Sequence, residues 1–298
     1  MGRALPGCLR TRVPPPLLLL LPPDRVLSLS SSPWSDLGAP SREGAVQRER
    51  EGAAEGLMES GRGGASGARV GARGRALARA GGSAGVAGSG TGAALLLHGR
   101  GGSGAAFGGR VAGSALGERL GLGEGGTRAW RAPDGPTALD DGGFAWWAFP
   151  PGVSRSYEAD EWLGSGDALA VAEEAGRGCE LCVGFSQGGM LLAVLLASGR
   201  LPDCRVAVVA GAGWPRPYAS TLRGFRERGR RPVGGSLRTP AILHVTSPAD
   251  AINPPIQARE VHACLGGDVL EHPSGHVMPL EGPDAAALAR WTALRLAE

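Results

Sequence analysis

The chain of 298 residues has no lysine, and all 31 of its basic residues are arginine. It is also poor in tyrosine (2), methionine (4), phenylalanine (5) and cysteine (5). The missing lysine rules out a Gly-Lys-Ser/Thr phosphate loop. The cysteines, Cys8, Cys179, Cys182, Cys204 and Cys264, are odd in number and irregular in spacing. That is no disulfide framework, and it fits a reducing compartment. Cys179 and Cys182 form a C-x-x-C, but neither a second pair nor a nearby histidine completes a metal site. They read as small apolar residues of a strand. Long apolar runs are absent too. Leu17 to Leu21 is bracketed by prolines and falls far short of the roughly 20 residues a membrane-spanning helix needs.

Charge of one sign is also scarce where a fold could form. Residues 1–90 carry 12 arginines against 7 acids, a net of +5, and residues 91–298 carry 19 against 21, a net of −2. No basic face interleaved with aromatics emerges, so nothing points to nucleic acid. Arg223, Arg226, Arg228, Arg230, Arg231 and Arg238 form one basic run, which reads as a solvated surface loop.

Glycine, by contrast, is plentiful, at 52 residues, with abundant alanine, arginine and proline. Such a bias suits a chain shaped by nucleotide composition, so glycine-rich and arginine-rich patterns carry little weight alone. Residues 1–91 are a Gly/Ala/Arg-rich tail without apolar periodicity. Such a segment cannot bury enough surface to offset its ordering entropy. Its first 40 residues, with early arginines and Ser28 to Ser32, are compatible with a transit peptide, and equally with a disordered tail or an over-extended gene model.

From residue 92 to 298 the pattern changes. Apolar runs at 93–97, 127–132, 181–183, 205–210, 239–245 and 268–271 read as six strands. Helical stretches separate them: 107–120, 158–175, 190–198, 254–265 and 283–296. Buried strand alternating with helix predicts an α/β fold, a mainly parallel sheet of about six strands with helices on both faces. Residues 133–157 form a long irregular stretch rich in aromatics, and 215–239 a loop excursion.

The chemistry gathers around Gly184-Phe185-Ser186-Gln187-Gly188. An apolar strand leads in and an apolar helix leads out, the setting of a nucleophile elbow. A serine hydroxyl needs a base, and the base needs an orienting carboxylate. Asp250, behind the strand at 241–245, is the sole carboxylate between Glu227 and Glu260. The alternative for it is a helix cap. His276 follows a glycine turn behind the strand at 268–271. His272 is its rival but abuts the strand end, while His262 and His244 lie inside a helix and a strand. The amide of Gln187, next after the serine, is one candidate oxyanion donor, and the amide of Arg100, after Leu97-His98-Gly99, is the second. Trp146, Trp147 and Trp214 are candidate walls of an apolar substrate pocket, with ordinary loop packing as the alternative. No metal cluster and no cofactor motif is found.

Together, Leu97-His98-Gly99, Gly184-Phe185-Ser186-Gln187-Gly188, Trp146-Trp147 with Tyr157, Asp250, and Ser274-Gly275-His276-Val277-Met278-Pro279 resemble one family. It is the FSH serine hydrolases, the group named after ovarian-cancer-associated gene 2, within the α/β-hydrolase superfamily. The resemblance covers residues 92–298. It implies a cofactor-independent carboxylesterase or thioesterase acting on small acyl esters or thioesters, in the cytoplasm or also the nucleus. Two departures stand out. Ser247-Pro248-Ala249-Asp250 replaces the usual Gly-Asp-x-Asp. Gly188-Gly189 replaces Gly-Ala and resembles acyl-protein thioesterases, the second reading. A catalytically silent fold used for binding is a third, and an RNA- or membrane-associating arginine-rich arm a fourth.

Overall fold

The computed structural model describes residues 91–140, 142–231 and 239–298. The readings made for residues 1–90 lie outside them, as does Arg238. Six strands form one sheet: β1 (Thr91–Leu97), β2 (Arg128–Arg131), β5 (Cys179–Phe185), β6 (Val206–Ala210), β7 (Ala241–Thr246) and β8 (Asp268–Glu271). Their order across the sheet is β2-β1-β5-β6-β7-β8, and every pairing is parallel. A two-stranded piece, β3 (Thr137–Ala138) with β4 (Phe144–Ala145), sits in the irregular stretch after β2. The helices are α1 (Gly104–Ala112), α2 (Ala115–Arg119), α3 (Ser165–Gly176), α4 (Gln187–Ala197), α5 (Ala219–Glu227), α6 (Pro255–Leu265) and α7 (Gly282–Ala297).

The alternation of side chains along each strand divides the core into two layers. Leu95, Leu97, Cys182, Ala207 and Val209 pack on one face with α3, α4 and α6. Leu96, Leu181, Val183, Val206 and Val208 pack on the other with α1 and α7. All 11 residues of α4 are buried. That explains why it is apolar all round rather than striped. Cys179 and Cys182 are free, buried thiols of β5, and burial above all pushes the Cys179 thiol up to about 11.

Three boundaries differ from the sequence reading. The helix expected at 107–120 is two helices, because Ser114 caps a new one by accepting the Gly117 N–H at 3.2 Å. The helix expected from 158 starts at Ser165, after Gly164 at φ +82°, a left-handed turn that costs glycine little. Trp162, expected on that helix, lies in the loop before it and stacks on Trp147, with ring centroids 3.7 Å apart. The excursion at 215–239 contains a short 3-10 turn (Arg216–Tyr218) and α5. Leu222 and Phe225 there bury an apolar side three residues apart that the surrounding arginines obscured.

One buried histidine should make the fold acid-sensitive. His244 of β7 bonds the Gly266 carbonyl at 3.0 Å and meets the His262 ring edge-on at 5.0 Å. Burial first, and the charge of His262 second, lower its pKa to about 3 against the pull of Gly266. An unfolded histidine titrates near ~6.5. The stability tied to neutral His244 is therefore complete above ~6.5 and is lost as pH falls toward the folded value. We expect the urea midpoint to hold steady from about pH 8 to 7 and to fall between about pH 6 and 4. His244→Gln keeps a donor for Gly266 without the titration. Its midpoint should fall less steeply, as denaturation curves across that range would register.

Candidate active site

In an all-parallel sheet the loops leaving the C-terminal strand ends share one edge, where α/β folds place their ligands. Every candidate residue after β1, β5, β6, β7 and β8 lies on that edge. Ser186 forms the turn between β5 and α4, with φ +55° and ψ −118°, a strained conformation for a side-chain-bearing residue. The turn is possible because its neighbours are small. A Cβ on Gly184 would fall 2.4 Å from the Gly188 carbonyl oxygen, and one on Gly188 would fall 2.2 Å from that of Leu97. The Ser186 N–H donates to the Ala210 carbonyl at 2.9 Å, fastening the elbow to β6.

His276 bridges the other two candidates. Its Nε2 is 2.9 Å from Ser186 Oγ and its Nδ1 is 2.7 Å from Asp250 Oδ2. The other carboxylate oxygen, Oδ1, accepts the N–H groups of Ile252 at 2.9 Å and Asn253 at 2.8 Å. Burial alone would raise the Asp250 pKa. The hydrogen bond from His276, the Asn253 amide, the charge of His276 and the Ile252 amide outweigh it, and the net direction is down. An ionised Asp250 accepts only, so Nδ1 of His276 carries the proton and Nε2 is left to accept from the serine. His272 is not part of this line. It is buried, its Nδ1 accepts the Ser274 N–H at 3.3 Å, and burial lowers its pKa.

Of the two expected oxyanion donors, Gln187 adjoins Ser186 in the chain and Arg100 follows a residue packed against it. Gln187 is the first residue of α4, where backbone N–H groups have no partner within the helix. Gly99 lies against the serine, since a Cβ there would stand 3.1 Å from Ser186 Cβ, and Arg100 follows it. The amides of Gly101 and Gly102 are engaged by Phe144 and Gly99. Among the described residues the Arg100 amide donates to no acceptor. The Arg100 guanidinium lies over the Phe149 ring, 4.8 Å from its centroid.

Trp146 and Trp147 are corrected. Both are wholly buried and line no open pocket. Trp146 Nε1 donates to the His98 carbonyl at 2.8 Å, and its ring stacks on that of His98. Trp147 Nε1 donates to Ser156 Oγ at 3.3 Å. Trp146 thus braces the loop carrying Arg100, while Trp147 packs within its own stretch against Trp162. Trp214 is also largely buried, with Arg223 over its ring.

His98 has two partners. Its Nε2 accepts the Gly135 N–H at 3.0 Å, which leaves Nδ1–H to donate to the Gly99 carbonyl at 2.7 Å. Burial lowers its pKa, against that carbonyl bond and the charge of Asp134, which suits a neutral ring donating once and accepting once.

Several contributors were missed. The Gln187 side chain is buried, and its Oε1 accepts the Trp146 N–H at 3.1 Å. Asn253 Nδ2 donates to the Gly211 carbonyl at 2.7 Å. Gly211 itself abuts the His276 ring, so close that a Cβ there would sit 3.3 Å from Cε1. Phe185 packs against the same ring, with centroids 5.0 Å apart. An Asn three residues after the candidate acid was the one available signal.

A cavity of about 280 Å³ lies elsewhere, at the N-terminal ends of β7 and β8, lined by residues including Ala241, Asp268, Trp291 and Arg295. It holds none of the candidate residues. Among the described residues no helix is long and apolar enough to cross a membrane.

Several solved structures resemble the chain. The crystal structure of esterase PE8 superposes with a TM-score of 0.50 at 21% identity, covering 72% of this chain and 97% of that one. Zea mays acyl-protein thioesterase 2 gives 0.48 at 19% identity, over 71% and 97% of the two chains. A Bacillus cereus carboxylesterase gives 0.46 at 16%, over 68% and 88%. At these identities the likeness concerns the fold. No curated protein matches by sequence. The model of one family, described as serine hydrolase (FSH1), matches residues 126–287, a span holding Ser186, Asp250 and His276 and more than half of the chain. The chain belongs to the FSH1 serine hydrolase family.

Proposed function

We propose that the protein cleaves small acyl esters and thioesters through a Ser186–His276–Asp250 triad and an acyl-enzyme. One observation carries this: an unbroken line of hydrogen bonds from Ser186 Oγ through both nitrogens of His276 to Asp250, at 2.9 and 2.7 Å. Ser186 Oγ attacks the acyl carbon and its proton passes to His276 Nε2. The bond from the acyl carbon to the leaving oxygen or sulfur then breaks, and His276 gives that atom its proton. Water next attacks the acyl carbon. Its proton passes by way of His276 to Ser186 Oγ as the acid departs. The amides of Gln187 and Arg100 receive the negative charge that develops on the carbonyl oxygen in both halves. An acyl-enzyme route accepts oxygen and sulfur leaving groups alike, because the same carbonyl carbon is attacked. The name of esterase PE8 agrees with the ester side of this reading.

The test is covalent. A fluorophosphonate probe should label Ser186 stoichiometrically, with the adduct mapped by peptide mass spectrometry. Labelling that persists in Ser186→Ala contradicts the assignment. A screen of p-nitrophenyl esters and acyl-CoAs of graded chain length then separates esterase from thioesterase. For localisation we propose the cytoplasm, from the free buried cysteines, with an organelle as the alternative if residues 1–40 act as a transit peptide.

A further inference from the structure

We infer that Ser247 is a positioning residue of this site: its hydroxyl holds the loop bearing His276 in register with the loop bearing Asp250. The inference rests on the triad reading above and adds a residue to it. The two loops leave neighbouring parallel strands, β7 ending at Thr246 and β8 at Glu271. At their base the ladder continues for one more bond, from the His272 N–H to the Thr246 carbonyl at 3.0 Å. Beyond it, two hydrogen bonds join the loops. One is His276 to Asp250 itself. The other runs from the Gly275 N–H to Ser247 Oγ at 3.0 Å.

The same hydroxyl oxygen accepts the Ala249 N–H at 3.2 Å, and the Ser247 carbonyl accepts the Asp250 N–H at 3.2 Å. One side chain, only 3% exposed, therefore fixes the turn that delivers Asp250 and the peptide just before His276. Gly275 sits at φ +76°, and a glycine has little intrinsic resistance to backbone rotation. Among the described residues its N–H has the Ser247 oxygen as its acceptor. Removing that oxygen leaves a half-buried donor unpaired and frees the residue that aims the imidazole. The geometry needed downstream is narrow, since a displacement of about 1 Å in such a site can cost ~10²-fold in rate. Ser247 touches none of the reacting atoms, so its effect must appear in turnover through His276.

The experiment compares Ser247→Ala, which removes the oxygen, with Ser247→Thr, which keeps it. Both are measured by steady-state kinetics on a p-nitrophenyl ester and by the rate of fluorophosphonate labelling at Ser186. Ser247→Ala should lower kcat about 10-fold to 100-fold with KM within about 2-fold, and should slow labelling by a similar factor. Ser247→Thr should recover most of both. A kcat in Ser247→Ala within about 2-fold of wild type, or a Thr variant as impaired as Ala, overturns the inference. If Ser247→Ala does not fold, amide exchange in the wild-type protein decides instead. A protected Gly275 N–H supports the link, and rapid exchange there refutes it. Ser186→Ala run alongside keeps the two levels apart. Its loss of activity beside an unaffected Ser247→Ala removes only the role of Ser247, whereas its retention of activity removes the triad.

Discussion

Ser186→Ala is expected to lower kcat by about 10⁴-fold to 10⁶-fold while the folded structure survives. Among the described residues no other hydroxyl or thiol is hydrogen-bonded to His276. Cys179 and Cys182 are buried, and their thiols are held protonated. The residual rate should come from the Gln187 and Arg100 amides, which still polarise a bound carbonyl toward attack by water. Stability should change little. Alanine is small, keeps the Cβ that serine already carries, and leaves the backbone bond from residue 186 to Ala210 in place. Stopped and steady-state assays on one activated ester, with a thermal melt of each protein, measure both halves of the expectation. A variant within about 100-fold of wild-type turnover would contradict the assignment of Ser186.

Asp250→Asn should cost about 10³-fold to 10⁴-fold in kcat, for a reason visible in the hydrogen bonds. Two backbone N–H groups, from Ile252 and Asn253, fasten one carboxylate oxygen. In the variant the carboxamide oxygen must occupy that position, because an NH₂ group cannot accept from them. The NH₂ then faces His276 Nδ1 and donates to it. That drives the histidine proton to Nε2, where it blocks acceptance from Ser186 Oγ. The geometry stays and the tautomer is wrong. The loss should therefore fall on kcat, with KM nearly unchanged, and the structure of the variant should superpose on the wild type at residues 247–253. Loss confined to KM would mean that Asp250 shapes a binding surface instead.

Ser186, Asp250 and His276, which the structure brings together, could be picked out as candidates because each sits within a few residues of a strand end, and strands announce themselves by apolar runs. Asp250 stood alone among carboxylates over a long interval, which made its assignment simple. The supporting contacts were not legible. Ser247 meets Gly275 across 28 positions, and Asn253 meets Gly211 across 42. No local pattern encodes such pairings. The tryptophans failed for a different reason. Aromatic residues in a long irregular stretch suit either a pocket wall or a brace. Only the 2.8 Å bond from Trp146 to the His98 carbonyl and the stacking of Trp147 on Trp162 distinguish the two. Helix α5 escaped because four arginines from 223 to 230 hid a short apolar side made by Leu222 and Phe225.

Because all six strands run in one direction, the chain enters β1 at Thr91 on the edge opposite the one that holds Ser186. The seven residues of β1 put about 20 Å of sheet between that entry point and the reacting atoms. An attachment made at Thr91 itself would therefore hold the edge bearing Ser186 away from a support, where a probe for that serine would meet the far side of the sheet.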